Sequence, residues 1–433
     1  MKLVIRKKTT AEWLALYVLI LPFFFSFLME FLPLPSIIKY TVDIAWLCLL
    51  ALILIKRNLR LDGPARHLLY VVGLFFLTTI VGLVLNYQSI LYYLWGLRNN
   101  LRFFVFFFAC ILFMQTRTAA SVMKFFDFLL WVNLPIVLYQ YVFMGKDQDR
   151  LGGIFGVESG CNGYMNIFLI IVITRSILLY LQRKESMPLC FAKCAVALLI
   201  AVFAEMKAFF LELVIVAVMA VLITRFSWKK LWIILVISVG VMTGAQLVER
   251  LFPEFADWFR WEKIWESLSS EKGYTSQGDM NRMTAISIAM ERFLTDGWQK
   301  IFGLGLGNCD YATFDFLTTP FYRMYHRLNY VWFSSSFLIL ETGFAGLLLY
   351  GFFFVRLFFA ARKEAKQHKE RAIHAQMAQI LSAVCILLMI YNVSLRTESG
   401  YMMFFALSLP FLGKADETRI IKKEGGVNGC SVR

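Results

Sequence analysis

The chain of 433 residues is 59% hydrophobic and 17% aromatic, with a mean hydropathy of +0.65. Only 17% of it is charged, whereas soluble domains run nearer half apolar and a quarter charged, which excludes a soluble globular protein. The net charge is +15, yet the basic residues are spread over short loops, so nothing points to a nucleic-acid partner.

In chain order, the apolar blocks predict an all-α polytopic membrane protein with twelve spans. They fall at about 11–31, 37–55, 67–86, 100–114, 125–144, 161–181, 189–204, 208–226, 231–248, 330–355, 376–392 and 399–412. Most approach the ~20 residues that a helix needs to cross the hydrocarbon, and 189–204 and the last are short. The division is a nine-helix region over 1–248, a long loop over 249–329, a three-helix region over 330–412 and a basic tail over 413–433. The first span follows the basic stretch Lys2 to Lys8, and "LILPFFFSFLMEF" offers no small-residue cleavage site, so it reads as a retained helix.

Lys and Arg in the short loops set the orientation. The N-terminal side, with "KRNLRLDGPAR" and "RKEAKQHKER", holds more than half of the 44 basic residues. The other side holds Lys39, Arg98, Arg102, Lys146, Arg150, Lys207 and Arg396. Both termini are therefore expected in the cytoplasm and the long loop outside, in the cytoplasmic membrane. Cys190 and Cys194 have no histidine nearby, so no zinc site is expected. Cys161 and Cys309 share the outer side, and no disulfide is expected between them.

The long loop carries "IFGLGLGNCD", in which Gly303, Gly305 and Gly307 alternate with leucines. Such a run lets backbone N–H groups approach a phosphate. The dinucleotide fingerprint fails, because its sixth position is Asn308. The two readings that stand are a simple turn and a cradle for the phosphate of a lipid carrier. Trp258, Trp261, Trp265 and Leu268 make one aromatic face suited to the membrane interface. A second helix is predicted over "DMNRMTAISIAMERFLTDG", with Asp279 as N-cap, a stripe of Met283, Ile286, Met290, Phe293 and Leu294, and Gly297 after its end. Arg282 would sit in the first turn, where a cation opposes the helix dipole unless an anion docks there or Asp279 or Glu271 pairs with it.

Other polar residues gather at the same rim. "FAEMKAFFLEL" places Glu205 and Lys207 in a tight turn, with Glu212 deeper. An ionisable group inside a membrane costs ~2.5–3.5 kcal/mol on insertion scales and faces a partner or a water-filled cavity, although Lys207 alone can snorkel. "KDQDRLGGIFGVESGCNGYMN" adds Arg150, with Asn162 and Asn166 on one face beyond it. "YRMYHRLNY" adds Arg323, His326 and Arg327, and a lone histidine there suits a rim hydrogen bond as well as catalysis.

From about Arg150 to Tyr350, the chain resembles the O-antigen polymerase (Wzy) and O-antigen ligase group, in its exopolysaccharide and capsule polymerase branch. "RLGGIFGVESGCNGYMN" looks like the family's arginine-plus-glycine segment, and "AEMKAFFLE" like its E-x-K element, where other members carry arginine. "NRMTAISIAMERF", "IFGLGLGN" and "LILETGFAGLLLY" look like its arginine-plus-helix, G-x-G and E-x-G-x-x-G series, in order. The resemblance implies a metal-independent, membrane-embedded glycosyltransferase without a cofactor. Its substrate would be an undecaprenyl-pyrophosphate-linked oligosaccharide. Its surroundings would be membrane lipid and other polysaccharide export or chain-length proteins.

Carried over by position from the resemblance, Arg282, Lys207 and Arg150 would bind the pyrophosphate. Glu205 and His326 join Arg282 and Lys207 as catalytic candidates, and Arg327, Gly303, Gly305 and Gly307 join Arg150 in binding substrate. One departure bears on the class. Ligases of this group carry a His-Asn pair about nine residues before the glutamate of E-x-G-x-x-G, where this chain has Trp332 and Phe333. His326 lies fifteen residues ahead of Glu341 and cannot inherit that role. Polymerase is thus expected over ligase, with the base unassigned. A lipid-linked oligosaccharide flippase is the reading from another class, but the repeat symmetry common in transporters is not visible.

Overall fold

In a computed structural model, residues 8–32, 35–55, 61, 63–224 and 279–412 are described, with isolated positions between 232 and 250. The aromatic face at 258–268, Glu271, the tail 413–433 and half of the predicted span 231–248 lie outside the described residues.

The described residues form helices and turns with no strand. The long helices are α1 (Thr10–Phe31), α2 (Thr41–Ile55), α3 (Gly63–Leu85), α4 (Ile90–Phe113), α5 (Thr116–Val142), α6 (Cys161–Leu181), α7 (Met187–Phe203) and α8 (Lys207–Ile223). Three short helices follow, α9 (Ala285–Arg292), α10 (Gly297–Phe302) and α11 (Pro320–Tyr325). The chain then re-enters long helices, α12 (Ser334–Gln367), α13 (Ala372–Tyr391) and α14 (Gly400–Ser408).

Seven helices are long and apolar enough to cross a membrane, and α1 makes an eighth if its halves, bent by 50° near Pro22, are one span. A proline inside a helix removes one backbone hydrogen bond and bends it there. The predicted twelve is therefore not reached among the described residues. The predicted spans 189–204 and 399–412 are helical but shorter than the hydrocarbon requires.

The centre is aromatic. Phe104 of α4 meets Phe353 of α12 at 5.0 Å and Phe404 of α14 at 5.4 Å, both edge to face. Such pairs add about 0.5–1.5 kcal/mol beyond their burial. Helix α12 packs along α13 and α3 and is kinked at Gly343, whose φ of 62° only glycine adopts without strain.

The kink frees carbonyls that the glycine run then takes up. Leu304 N–H donates to Leu340 O (2.8 Å) and Gly305 N–H to Glu341 O (3.1 Å). A Cβ on Gly303 would collide with the Glu341 backbone, and one on Gly307 with Tyr92 and Gly96 of α4. The turn reading of "IFGLGLGN" thus has a specific form, a strap sealing a broken helix.

Two predictions at α9 are corrected. The helix begins at Ala285 and not after Asp279, because the segment before it is already engaged: Met280 N–H donates to Leu328 O (2.9 Å) and Asn329 Nδ2 to Asp279 Oδ2 (3.4 Å). Ala285 and Ala289 are buried, and Ile286, Met290, Phe293 and Leu294 of the predicted stripe pack against the core, whereas Met283 is 55% exposed. Gly297 opens α10 instead of closing α9, capped by Asp296 and Gln299 in reciprocal hydrogen bonds.

Candidate functional site

A cavity of about 630 Å³ opens where five segments meet: the approach to and start of α6, the α7–α8 turn, the turn before α9, the residues just before α12, and the break between α13 and α14. Its walls hold three of the predicted catalytic residues, Glu205, Lys207 and Arg282.

Glu205 and Lys207 reach it through an unusual turn. Glu205 has φ of 46°, a left-handed conformation uncommon for a side-chain-bearing residue. Met206, at φ −77° and ψ 76°, then makes an inverse γ-turn that brings Lys207 N–H to Glu205 O at 2.8 Å. Two helices are thereby joined within three residues, with both side chains beside the cavity. Backbone strain of this kind costs of order 1–3 kcal/mol and collects at functional sites.

Arg282 enters from the loop that precedes α9. Its Nε donates to Tyr391 O at 3.0 Å, and its guanidinium lies 4.1 Å from the Tyr391 ring and 5.5 Å from that of Phe333. Tyr391 ends α13, so its carbonyl is one of those a helix leaves without an internal partner. A cation is favoured there by the dipole. The expectation that Arg282 opposes its own helix dipole is therefore corrected: it caps the C-terminus of another helix, where the sign is favourable.

The floor is formed by α6. Asn162 Nδ2 donates to Asp149 Oδ1 (2.8 Å) at the rim, and Asn166 Nδ2 donates to Glu212 Oε1 (2.8 Å) below. Glu212 is fully buried, so it holds the Asn166 amide in one orientation.

The remaining predicted residues stand apart. Arg150 is exposed on a single helical turn, Gln148–Arg150, whose first two residues line the cavity while Arg150 itself does not. His326 is exposed, with Nδ1 3.2 Å from Arg323 O, and Arg327 is exposed beside it; neither lines the cavity. Gly303, Gly305 and Gly307 are buried in the strap against α12 and α4 and do not line it either. Cys161 and Cys309 are free thiols.

Several residues escaped the sequence reading. Trp332, Tyr391, Asn392 and Ser394 line the cavity. A second polar centre lies next to it. Arg98 Nε donates to Asp43 Oδ1 (3.0 Å), Asn99 Nδ2 to Asp310 Oδ2 (2.6 Å) and Arg102 Nη1 to Glu398 Oε1 (3.1 Å). Arg396 Nη2 stands 3.8 Å from Glu341 Oε2. Burial raises the Asp310 carboxyl above its ordinary range, against the pull of Arg396 and Asn99. Burial also opposes ionisation of Glu398, but Arg102 and the Tyr164 hydroxyl outweigh it and hold this carboxyl down to about 2. The available signal was Arg98, Arg102 and Arg396, which served only to orient the spans. Charges that deep need partners, and the partners were there to be sought.

No protein-family model and no curated protein matches the chain. Fold and composition define a helical, multi-pass membrane protein.

Proposed function

We propose that the protein is a polysaccharide polymerase of the Wzy type. It transfers a growing glycan from undecaprenyl pyrophosphate to the next lipid-linked repeat unit, on the outer face of the cytoplasmic membrane. The observation that carries this reading is the meeting of Lys207 and Arg282, 75 positions apart in sequence, on the walls of one cavity.

Such a pair suits a diphosphate leaving group. Charge-assisted hydrogen bonds to phosphate are worth roughly 1.5–3 kcal/mol each, and they strengthen as charge develops in the transition state. In the reaction, an acceptor sugar hydroxyl attacks the anomeric carbon, the bond from that carbon to the diphosphate oxygen breaks, and the diphosphate leaves with the electron pair. The hydroxyl proton needs an acceptor. Glu205, which lines the cavity on the same turn as Lys207, is the carboxylate we assign to it. Trp332, Tyr391 and Phe333 give the cavity aromatic walls against which a sugar or the first isoprene units can lie.

The break between α13 and α14 also suits a flippase for the same lipid, since irregular backbone at membrane depth occurs where it lines a cavity. Deleting the gene separates the readings. A polymerase mutant accumulates single repeat units on the carrier, on the outer leaflet, and makes no long surface polymer. Full-length polymer on the carrier would mean a ligase, and units confined to the cytoplasmic leaflet would mean a flippase.

A further inference from the structure

The cavity is not uniformly cationic. Beyond Lys207 and Arg282, its wall continues in a run of uncharged and acidic groups. Arg282 Nε is held on Tyr391 O at 3.0 Å. The next residue, Asn392, accepts from Ser394 N–H through Oδ1 at 3.0 Å. That bond commits the amide oxygen and turns Nδ2 the other way, and no described residue accepts from Nδ2. Ser394 in turn approaches α6: its Oγ lies 3.0 Å from where a Cβ on Gly163 would stand. Beside Gly163, Asn162 Nδ2 donates to Asp149 Oδ1 at 2.8 Å. Asn392, Ser394, Gly163, Asn162 and Asp149 all line the cavity. They make one polar path that leads away from Arg282.

The far end of this path is held firmly. The Asp149 carbonyl accepts from Gly160 N–H (3.0 Å) and from Cys161 Sγ (3.3 Å), which clamps its loop to the first turn of α6. Asp149 is exposed, and Asn162 and Asn392 are half-buried, so all three are open to a ligand in the cavity. The Asp149 carboxylate stands at the N-terminus of α6, where the helix dipole favours it and where it repels a further anion.

We propose that Asp149, Asn162 and Asn392 recognise the hydroxyl groups of the sugar joined to the diphosphate. The assignment rests on the polymerase reading and adds to it the means by which a glycan-bearing carrier is told from a spent one. A sugar hydroxyl both donates and accepts. Asp149 and the Asn162 carbonyl take its proton in a hydrogen bond, and the Asn392 amide gives one to its oxygen. The repulsion at Asp149 keeps the phosphates at the Lys207 and Arg282 end. A site built to hydrogen-bond a hydroxyl rejects the analogue lacking it, because its own polar groups are then left unpaired. Undecaprenyl pyrophosphate, the product, has no sugar to offer these three residues. It is held by the cations without them and binds more weakly than the substrate.

The test uses the purified full-length protein in nanodiscs and two probes. One is undecaprenyl pyrophosphate, and the other is the same lipid carrying one repeat unit of the host's surface polymer. A titration gives the affinity for each. The wild type binds the glycan-bearing lipid at least about tenfold more tightly, as expected for one good contact or more. Asp149→Ala and Asn392→Ala each remove most of that preference and do not weaken the binding of undecaprenyl pyrophosphate. Asp149 is exposed, so its variant tests the site without threatening the fold, and a melting curve checks Asn392→Ala. Equal affinity of the wild type for the two lipids would overturn the proposal, as would variants that keep the preference or that weaken both lipids alike. If the deletion strain lacks polymer while the wild type binds both lipids alike, this inference fails alone. If the preference depends on Asp149 and Asn392 while the deletion strain keeps its polymer, the polymerase reading fails alone.

Discussion

Gly303 and Gly343 face each other backbone to backbone: a Cβ on Gly303 collides with the peptide group of Glu341, and one on Gly343 with that of Ile301. Both have positive φ, 77° and 62°. The glycine strap and the kink of α12 therefore require one another, and the glycines of two separate motifs are explained by a single contact.

Gly343→Ala and Gly303→Ala should each destabilise the protein by more than about 2 kcal/mol, since left-handed strain adds to a backbone collision that cannot relax cheaply. The melting midpoint in detergent should fall for both. Gly297→Ala, where nothing lies within 4 Å of the added carbon, should leave it near wild type. Equal midpoints for Gly343→Ala and Gly297→Ala would contradict the strap.

Orientation rests on the Lys and Arg bias alone, which makes it directly testable. A reporter fused after residue 270 should signal from outside the cytoplasm, and one fused after residue 365 from inside. The reverse pair of signals would place the cavity on the wrong face for a lipid-linked glycan of the outer leaflet.

How much was legible beforehand differs between fold and site. Apolar block length located several helices closely: 67–86 was expected and Gly63–Leu85 forms, and 376–392 was expected against Ala372–Tyr391. Helix α12 runs to Gln367, past its expected end at 355, because helical structure continues through the charged stretch after the apolar block stops. Hydropathy records burial in lipid and is blind to that extension. Of the site, Glu205, Lys207 and Arg282 do share a cavity, and Arg150 ends the turn whose first two residues line it. The glycine run, His326 and Arg327 lie elsewhere. Periodicity reports neighbours along one helix, whereas Arg282 is fixed by Tyr391, 109 residues away. The same blindness explains Asp279, a plausible cap by spacing whose side chain meets Asn329 instead.

The central claim is that Lys207 and Arg282 hold a diphosphate during glycan transfer. Arg282 also caps α13, so loss of stability must be separated from loss of chemistry. Removing a cation from a helix C-terminus costs about 0.3–1 kcal/mol, up to ~2 kcal/mol when partly buried, which a melting curve detects. Arg282→Lys keeps the charge but not the two-pronged geometry. The decisive measurement is the product ladder formed by purified protein in liposomes supplied with lipid-linked repeat units. The wild type should build a ladder and release undecaprenyl pyrophosphate. Arg282→Ala and Lys207→Ala should each form it at least about a hundredfold more slowly, as when one transition-state contact to developing charge is lost. Arg282→Lys should be intermediate, and His326→Ala near wild type. A wild-type ladder from stably folded Arg282→Ala or Lys207→Ala protein would contradict the diphosphate site.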